Sequence, residues 1–235
     1  LASGDVQVLY AVGATSVILS AANGADIKVL NMYSRSPKAF CMYSKDESLT
    51  TPESLKGKTI AGPAGTNLHE LLVSYLAQAG MSIDDVNYVS MSIPDAKAGL
   101  DGGSVDAALL AGSVAYNADK QGYHKVTDGE GLIKAIIAVA TTQKFYDEHP
   151  EVIAQLEKSQ QEIADFMKEN PDETMSIVAK ELDLDEEAVR EMYDYYDFSL
   201  DISEDDIDGF QKTADFMLES GMIDEALDVN SLFIK

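Results

Sequence analysis

Between Leu55 and Gly131 the spacing of apolar residues changes several times, and each change marks an element. Thr59–Ala61 is a short extended run and reads as a strand. Thr66–Ala79 carries Leu68, Leu71, Leu72, Tyr75 and Leu76 at the spacing of one helix face. The turn between them, Gly62-Pro63-Ala64-Gly65-Thr66-Asn67, is built of small residues. A strand, a helix, a strand and a glycine-containing turn complete the segment.

The same alternation extends upstream. Val6–Tyr10 reads as a strand, and Gly13-Ala14-Thr15 opens a helix through Ala22 that Asn23-Gly24 closes. Ile27–Met32 and Phe40–Tyr43 are extended, and Pro52–Leu55 is a helical turn with Thr51 as its cap. Ala135–Ala140 is a continuous apolar run, the pattern of a buried strand.

From Thr142 the texture becomes helical. Pro150–Lys168 is expected to place Val152, Ile153, Leu156, Ile163, Phe166 and Met167 on one face. Pro171 suits the first turn of the next helix. Asp185–Tyr193 and Ser203–Glu219 open on acids that complement the helix dipole. Ser203 and Asp206 form a capping-box variant, and Gly221 ends the last helix.

Strands alternating with helices predict an α/β architecture with mainly parallel strands. Ligands of such sheets bind beyond the carboxyl ends of strands. Three turns satisfy that rule: Gly13–Ser16, Gly62–Asn67 and Ala111–Val114. Each follows a strand and precedes a helix, where unpaired N–H groups and a partial positive charge suit an anionic or polar group.

Composition narrows the chemistry. The net charge is −24, and residues 147–235 carry 27 of the 41 acids but 6 of the 17 basic residues. Nucleic acids and anionic membrane surfaces require clustered Lys and Arg, so both are excluded as partners. The acidic helices read as a solvated, self-repelling face. Cys41 is the only cysteine and sits in an alternating apolar segment, so it reads as buried rather than nucleophilic.

His69, His124 and His149 have no pairing that would hold zinc. The Gly62–Thr66 turn lacks the Lys-Ser/Thr of a P-loop, and no dinucleotide fingerprint occurs at a strand–helix turn. Asp201–Asp208 has its glycine misplaced for a calcium loop. No Gly-x-Ser-x-Gly supports a hydrolase elbow. No cofactor or metal is expected.

The order of these motifs resembles solute-binding proteins of bacterial ABC importers, in the subfamily serving aliphatic sulfonates, taurine, nitrate and thiamine-precursor pyrimidines. LASGDVQVLYAVGATSVILSAANGADIKVLNMYS is similar to the family's first-lobe segment, with its ASGD phrase and Gly-x-Thr/Ser turn. LDGGSVDAALL, the helices from His149 with their Asn170-Pro171-Asp172-Glu173 turn, and SGMIDEALDV resemble later phrases of the family.

The resemblance implies a two-lobe periplasmic-binding-protein type II fold with crossover strands and a helical C-terminal segment. Lobe one comprises residues 1–37 and 141–235; lobe two comprises 38–140. The family's usual opening strand–helix–strand unit is missing before the ASGD phrase. The first lobe is therefore expected to be truncated at its N-terminus. Exposed apolar surface along Val6–Tyr10 and Ile27–Met32 would favour a homodimer.

The implied function is capture of a small polar or anionic organic compound, a sulfonate before a pyrimidine. Delivery would be to an ABC permease from the periplasm, or from a lipid anchor at the outer face of the cell membrane. Binding would close the two lobes over the ligand. The expected ligand-binding residues are Ala14, Thr15 and Ser16 from lobe one; Gly65, Thr66, Asn67 and His69 from lobe two; Gly112 and Ser113 at the third turn; and Ser34 near the hinge. For His69, ligand contact and helix-face packing are both open. Tyr10, Tyr33 and Tyr116 could stack on an aromatic ligand. Two alternatives stand on the same fold: an enzyme like thiamine-pyrimidine synthases, whose cysteine-rich motif is missing here, and a ligand-sensing domain.

Overall fold

A computed structural model of the chain describes residue 1 and residues 3–234. Ala2 of the ASGD phrase lies outside the described residues. In chain order the elements are β1 (Val8–Gly13), α1 (Ala14–Ala22), β2 (Lys28–Arg35), β3 (Phe40–Ser44), β4 (Thr59–Gly62), α2 (Asn67–Ala77), β5 (Asn87–Ser90), α3 (Ile93–Gly102), β6 (Ala107–Ala111), α4 (Gly112–Lys120), β7 (His124–Asp128), β8 (Ile136–Thr141), α5 (Gln143–Glu148), α6 (Pro150–Glu169), α7 (Pro171–Leu182), α8 (Glu186–Tyr193) and α9 (Glu204–Glu219).

The chain divides into two compact units. One contains Leu1–Arg35, Ile136–Asp215 and Ile223–Lys235; the other contains Ser36–Ala135 and Phe216–Met222.

In the first unit the sheet order is β1-β8-β2, and β8 runs antiparallel to both neighbours. The parallel pairing expected of a β1–α1–β2 crossover is therefore interrupted. The apolar strand β8 inserts between β1 and β2 and pairs from Lys28 opposite Thr141 to Arg35 opposite Ile136. Every side chain from Ala138 to Thr141 is buried, as a central strand covered on both faces requires. Strand β1 bulges between Leu9 and Val12, where Ala11 takes a φ of +66°.

The exposure expected along Ile27–Met32 is not found. Ile27, Val29, Leu30 and Met32 are buried. The C-terminal segment and the residues after α8 run along the outer edge of β2: Ile234 donates to the Val29 carbonyl at 3.2 Å, and Met32 donates to the Leu200 carbonyl at 3.0 Å. Arg35 and Asp197 exchange both backbone hydrogen bonds at 2.9 Å. Val6 and Tyr10, by contrast, are exposed.

Helix α6 also departs from its expected face. Ile153 and Gln160 are buried, whereas Val152, Ile163 and Phe166 point outward. A glutamine is tolerated inside because its amide pairs with Asn31 of β2 in both directions, at 2.8 and 3.1 Å.

The second unit is a five-stranded sheet of order β5-β4-β6-β3-β7. Strand β4 pairs parallel with β5 and β6; β3 pairs antiparallel with β6 and β7. Period-two alternation divides its side chains between two layers. Met42, Ile60 and Leu109 join Leu68, Leu71, Leu72 and Leu76 of α2. Cys41, Tyr43, Ala61, Ala108 and Leu110 join Ala96 and Leu100 of α3 and Ala115 and Ala118 of α4. Each fully buried leucine of α2 contributes on the order of 2 kcal/mol of burial. The last residue of β4 is a glycine because a Cβ there would lie 2.7 Å from the Leu109 Cβ.

The helix-end signals hold. Asp206 and Ser203 cap α9 reciprocally. Gly221, at φ +72°, closes a Schellman turn in which Met222 donates to the Met217 carbonyl at 2.7 Å.

Candidate functional site

The three small-residue turns are strand-to-helix junctions, joining β1 to α1, β4 to α2 and β6 to α4. Their helix N-termini are finished in different ways. Helix α2 is capped by Thr66, whose hydroxyl donates to the Pro63 carbonyl at 2.9 Å and accepts from the Leu68 N–H at 3.3 Å. Helix α1 begins after Gly13 and α4 after Ala111, neither of which makes a side-chain cap. Neither α1 nor α4 has an acid in its first turn. Uncapped, acid-free termini offer backbone donors and positive potential to an anion.

In the first unit, Ala14 and Thr15 are buried and Ser16 is half-buried at the start of α1. Ser34 is buried within β2, opposite Ile137. Tyr10 and Tyr33 pack edge to face, with ring centres 5.3 Å apart. A cavity of about 440 Å³ lies elsewhere in this unit, between α6 and the Tyr193–Asp201 stretch, and no expected site residue lines it.

In the second unit, Gly65 takes a φ of +67° just before the Thr66 cap, and Asn67 is buried. His69 folds back on this turn: its Nδ1 accepts the Gly65 N–H at 3.2 Å. Its ring lies parallel to Tyr88, 3° between planes and 4.9 Å between centres. The Tyr88 hydroxyl donates to the Gly62 carbonyl at 2.8 Å. Burial holds the His69 imidazole below its ordinary value and pushes the Tyr88 hydroxyl up to about 12. Gly112, at φ +57°, and Ser113 occupy the first turn of α4, both half-buried. Tyr116 lies under the Lys120 ammonium, 5.1 Å from the ring centre.

Thus His69, Gly65 and Thr66 are brought together, and the His69 and Thr66 side chains bond to the turn itself. Sequence reasoning missed Tyr88, Asn31, Gln160 and Arg35. Only Arg35, a charge closing an otherwise half-apolar strand, carried a local signal. Among the described residues no group of three acidic, histidine or cysteine side chains is arranged to hold a metal. The Cys41 thiol is buried and pushed up to about 11 by that burial. No described helix is long and apolar enough to cross a membrane.

The profile of the family described as NMT1/THI5 like matches residues 1–174, and the chain belongs to that family. A Bacillus subtilis (strain 168) protein provisionally named as binding aliphatic sulfonates is 28% identical over 226 residues, covering 94% of this chain and 68% of that protein. The taurine-binding periplasmic protein of Escherichia coli K12 is 27% identical over 176 residues, covering 73% of this chain. The chain spans 54% of the length of that taurine-binding relative. Among solved structures, the alkanesulfonate-binding protein SsuA of Xanthomonas axonopodis pv. citri, bound to MOPS, aligns with a TM-score of 0.89 at 21% identity, over 100% of this chain and 82% of that one. The fold is not confined to binding proteins: the desulfurization enzyme DSZB aligns with a TM-score of 0.70 at 15% identity, over 96% of this chain and 82% of that one.

Proposed function

We propose that this member of the NMT1/THI5 like family is the substrate-binding component of an ABC importer, working outside the cytoplasm and capturing an alkanesulfonate or a similar small oxyanion. The observation that carries the reading is the pair of helices, α1 and α4, that start with neither a side-chain cap nor a first-turn acid. Neutral donors at such termini bind an oxyanion without a lysine or arginine. The names of the two relatives, sulfonates and taurine, supply the ligand class.

In this reading Ala14, Thr15, Ser16 and Ser34 contribute from one unit, and Gly65, Asn67, Gly112 and Ser113 from the other. Thr66 and His69 hold the turn. A membrane permease receives the cargo. The protein sits in the periplasm or on a lipid anchor at the outer face of the membrane. Self-association would use the β1 edge, where Val6 and Tyr10 are exposed; light scattering at physiological salt reads it directly.

Thermal-shift measurements with ethanesulfonate, taurine, nitrate, a pyrimidine and a cationic amino acid test the ligand class, since a ligand that binds the folded state raises its melting temperature. Sulfonates should stabilise; stabilisation by cations alone would sink the oxyanion reading. Ser113→Ala should weaken sulfonate binding about fivefold, the equivalent of one lost hydrogen bond of about 1 kcal/mol. Conversion of the sulfonate into sulfite would instead place the chain with the fold's enzymes.

A further inference from the structure

Tyr88, Thr66 and His69 each bond to the Gly62–Asn67 turn. At its start, the Gly62 carbonyl accepts the Tyr88 hydroxyl at 2.8 Å. Across its middle, the Thr66 hydroxyl donates to the Pro63 carbonyl at 2.9 Å. At Gly65, the backbone N–H donates to His69 Nδ1 at 3.2 Å. The Tyr88 and His69 rings are stacked, so the first and third bonds are joined through them. Of the three, only the histidine contact involves a group that titrates near physiological pH.

A backbone N–H can only donate, so Nδ1 must be the unprotonated nitrogen and the ring proton sits on Nε2. Protonation of Nδ1 would set one N–H against another and end the bond. Gly65 stands at φ +67°, immediately before the Thr66 cap of α2. Loss of its anchor therefore loosens the residue that aims the turn at the helix N-terminus.

We propose that His69 is a positioning residue which, as a neutral acceptor, latches the Gly62–Asn67 turn, and that acidification unlatches the turn and weakens oxyanion binding there. The inference rests on the reading of this turn as part of the ligand site.

The neighbours of His69 favour the neutral ring. Tyr88 from β5 stacks on it, and its hydroxyl stays protonated throughout the relevant range, pushed up to about 12 by burial. Glu70 follows it on α2 and is buried. Burial lowers the His69 value. The unlatching window therefore lies below the ordinary imidazole value of 6.5.

A bound anion works in the opposite direction, since negative charge near an imidazole favours its protonation. If His69 were a cationic contact to the ligand, affinity would rise on acidification. If it is a latch, affinity falls. The sign of the pH dependence separates the two.

Two arms test the proposal on the full chain. The first needs no ligand: nitrogen NMR of the imidazole, together with the Gly65 amide signal, followed from about pH 7.5 to about pH 5. The expected result is an Nε2–H tautomer at neutral pH and a Gly65 amide that shifts with the same midpoint as His69. A cationic ring or an Nδ1–H tautomer at neutral pH, or a Gly65 amide that ignores the titration, would overturn the proposal. The second arm is calorimetry with ethanesulfonate, which has no titrating group in this range. Affinity should fall by up to about tenfold per pH unit below the His69 midpoint, as expected for one linked proton. His69→Asn, whose amide oxygen can stand where Nδ1 stands, should bind at neutral pH and lose that dependence. Affinity that rises on acidification overturns the latch. Absence of sulfonate binding at every pH sinks the ligand reading instead, and the NMR arm then decides the latch alone.

Discussion

Replacing Asp206 by asparagine should destabilise the first unit by about 3 kcal/mol near neutral pH, because it breaks a buried ion pair from one side. Asp206 is 3% exposed and Arg35, its partner at the end of β2, is 17% exposed. The pairing is bidentate: Arg35 Nε donates to one carboxylate oxygen at 2.7 Å and an Nη to the other at 2.6 Å. The second oxygen also accepts the Ser203 N–H at 2.8 Å and the Ser203 hydroxyl at 2.7 Å. Asparagine keeps the shape and an acceptor for the cap, but leaves the guanidinium only the exposed Asp197 carboxylate, 3.9 Å away, as counter-charge. Arg35 retains the carbonyls of Ser199 and Asp201, at 2.6 and 2.8 Å. That retention puts the loss at the lower end of the roughly 3–5 kcal/mol usual for a broken buried pair.

The pH dependence provides an internal check. Burial raises the Asp206 value, but hydrogen bonds from Arg35 and Ser203 and the charge of Arg35 outweigh it and hold the carboxyl below its ordinary 3.8. A carboxyl depressed in the folded state stabilises at pH above its unfolded value, and that stability disappears as pH falls through the folded value. The deficit of D206N should therefore be constant from neutral pH to about pH 5 and shrink only below the ordinary carboxyl range. Urea unfolding followed by circular dichroism suits a chain without tryptophan. The double variant R35M/D206N should recover part of the loss, since no charge then stays buried unpaired. A deficit below about 1 kcal/mol, or one that persists unchanged into acid, would refute the reasoning.

Thr66→Ala should lower the stability of the second unit by about 1 kcal/mol through loss of the α2 cap, visible as a lower melting temperature without ligand, and Thr66→Ser should restore it. Thr174→Val should stabilise by about 1 kcal/mol, because the buried Thr174 hydroxyl has no hydrogen-bond partner among the described residues and its removal lifts a desolvation penalty; a loss in urea unfolding would count against that. Cys41 should resist a thiol reagent such as dithionitrobenzoate until the chain is unfolded, since its thiol is buried and raised to about 11. Rapid labelling of the native chain would reopen a nucleophilic role.

The elements that were legible in the sequence are those whose cause is local. The stripe Leu68, Leu71, Leu72, Tyr75 and Leu76 predicts α2 because its spacing matches the helix repeat and nothing interrupts it. The Ser203–Asp206 box and Gly221 predict both ends of α9 because capping is settled within a few residues. The buried face of α6 was not legible: Gln160 looks like a solvent residue until Asn31, 129 positions earlier, is placed against it. Nor was the central place of β8. Its apolar run announces a buried strand, but insertion between β1 and β2 is a property of the sheet. The coverage of the β2 edge by Leu200 and Ile234 depends on equally distant contacts.

The site shows the same division at closer range. Small residues between a strand and a helix announced three donor-bearing turns, and the three junctions exist. Polar side chains near those turns were read as ligand contacts, and two of them also bond to the turn itself. Thr66 spends its hydroxyl on Pro63 and Leu68, and His69 spends Nδ1 on Gly65. A turn with a left-handed glycine and a helix start needs such bonds to hold its shape. The polar residues most visible beside it are therefore those most needed as frame. The groups suited to an oxyanion are the backbone amides that open α1 and α4, where Gly13 and Ala111 provide no side-chain cap. Backbone donors leave no trace in residue identity except smallness. Ligand class is thus better tested by the sign of charge the turns accept than by the side chains around them. A sulfonate bound through such amides should tolerate conservative changes at Thr66, but not a bulky side chain at Gly13, where approach to the α1 terminus would be blocked.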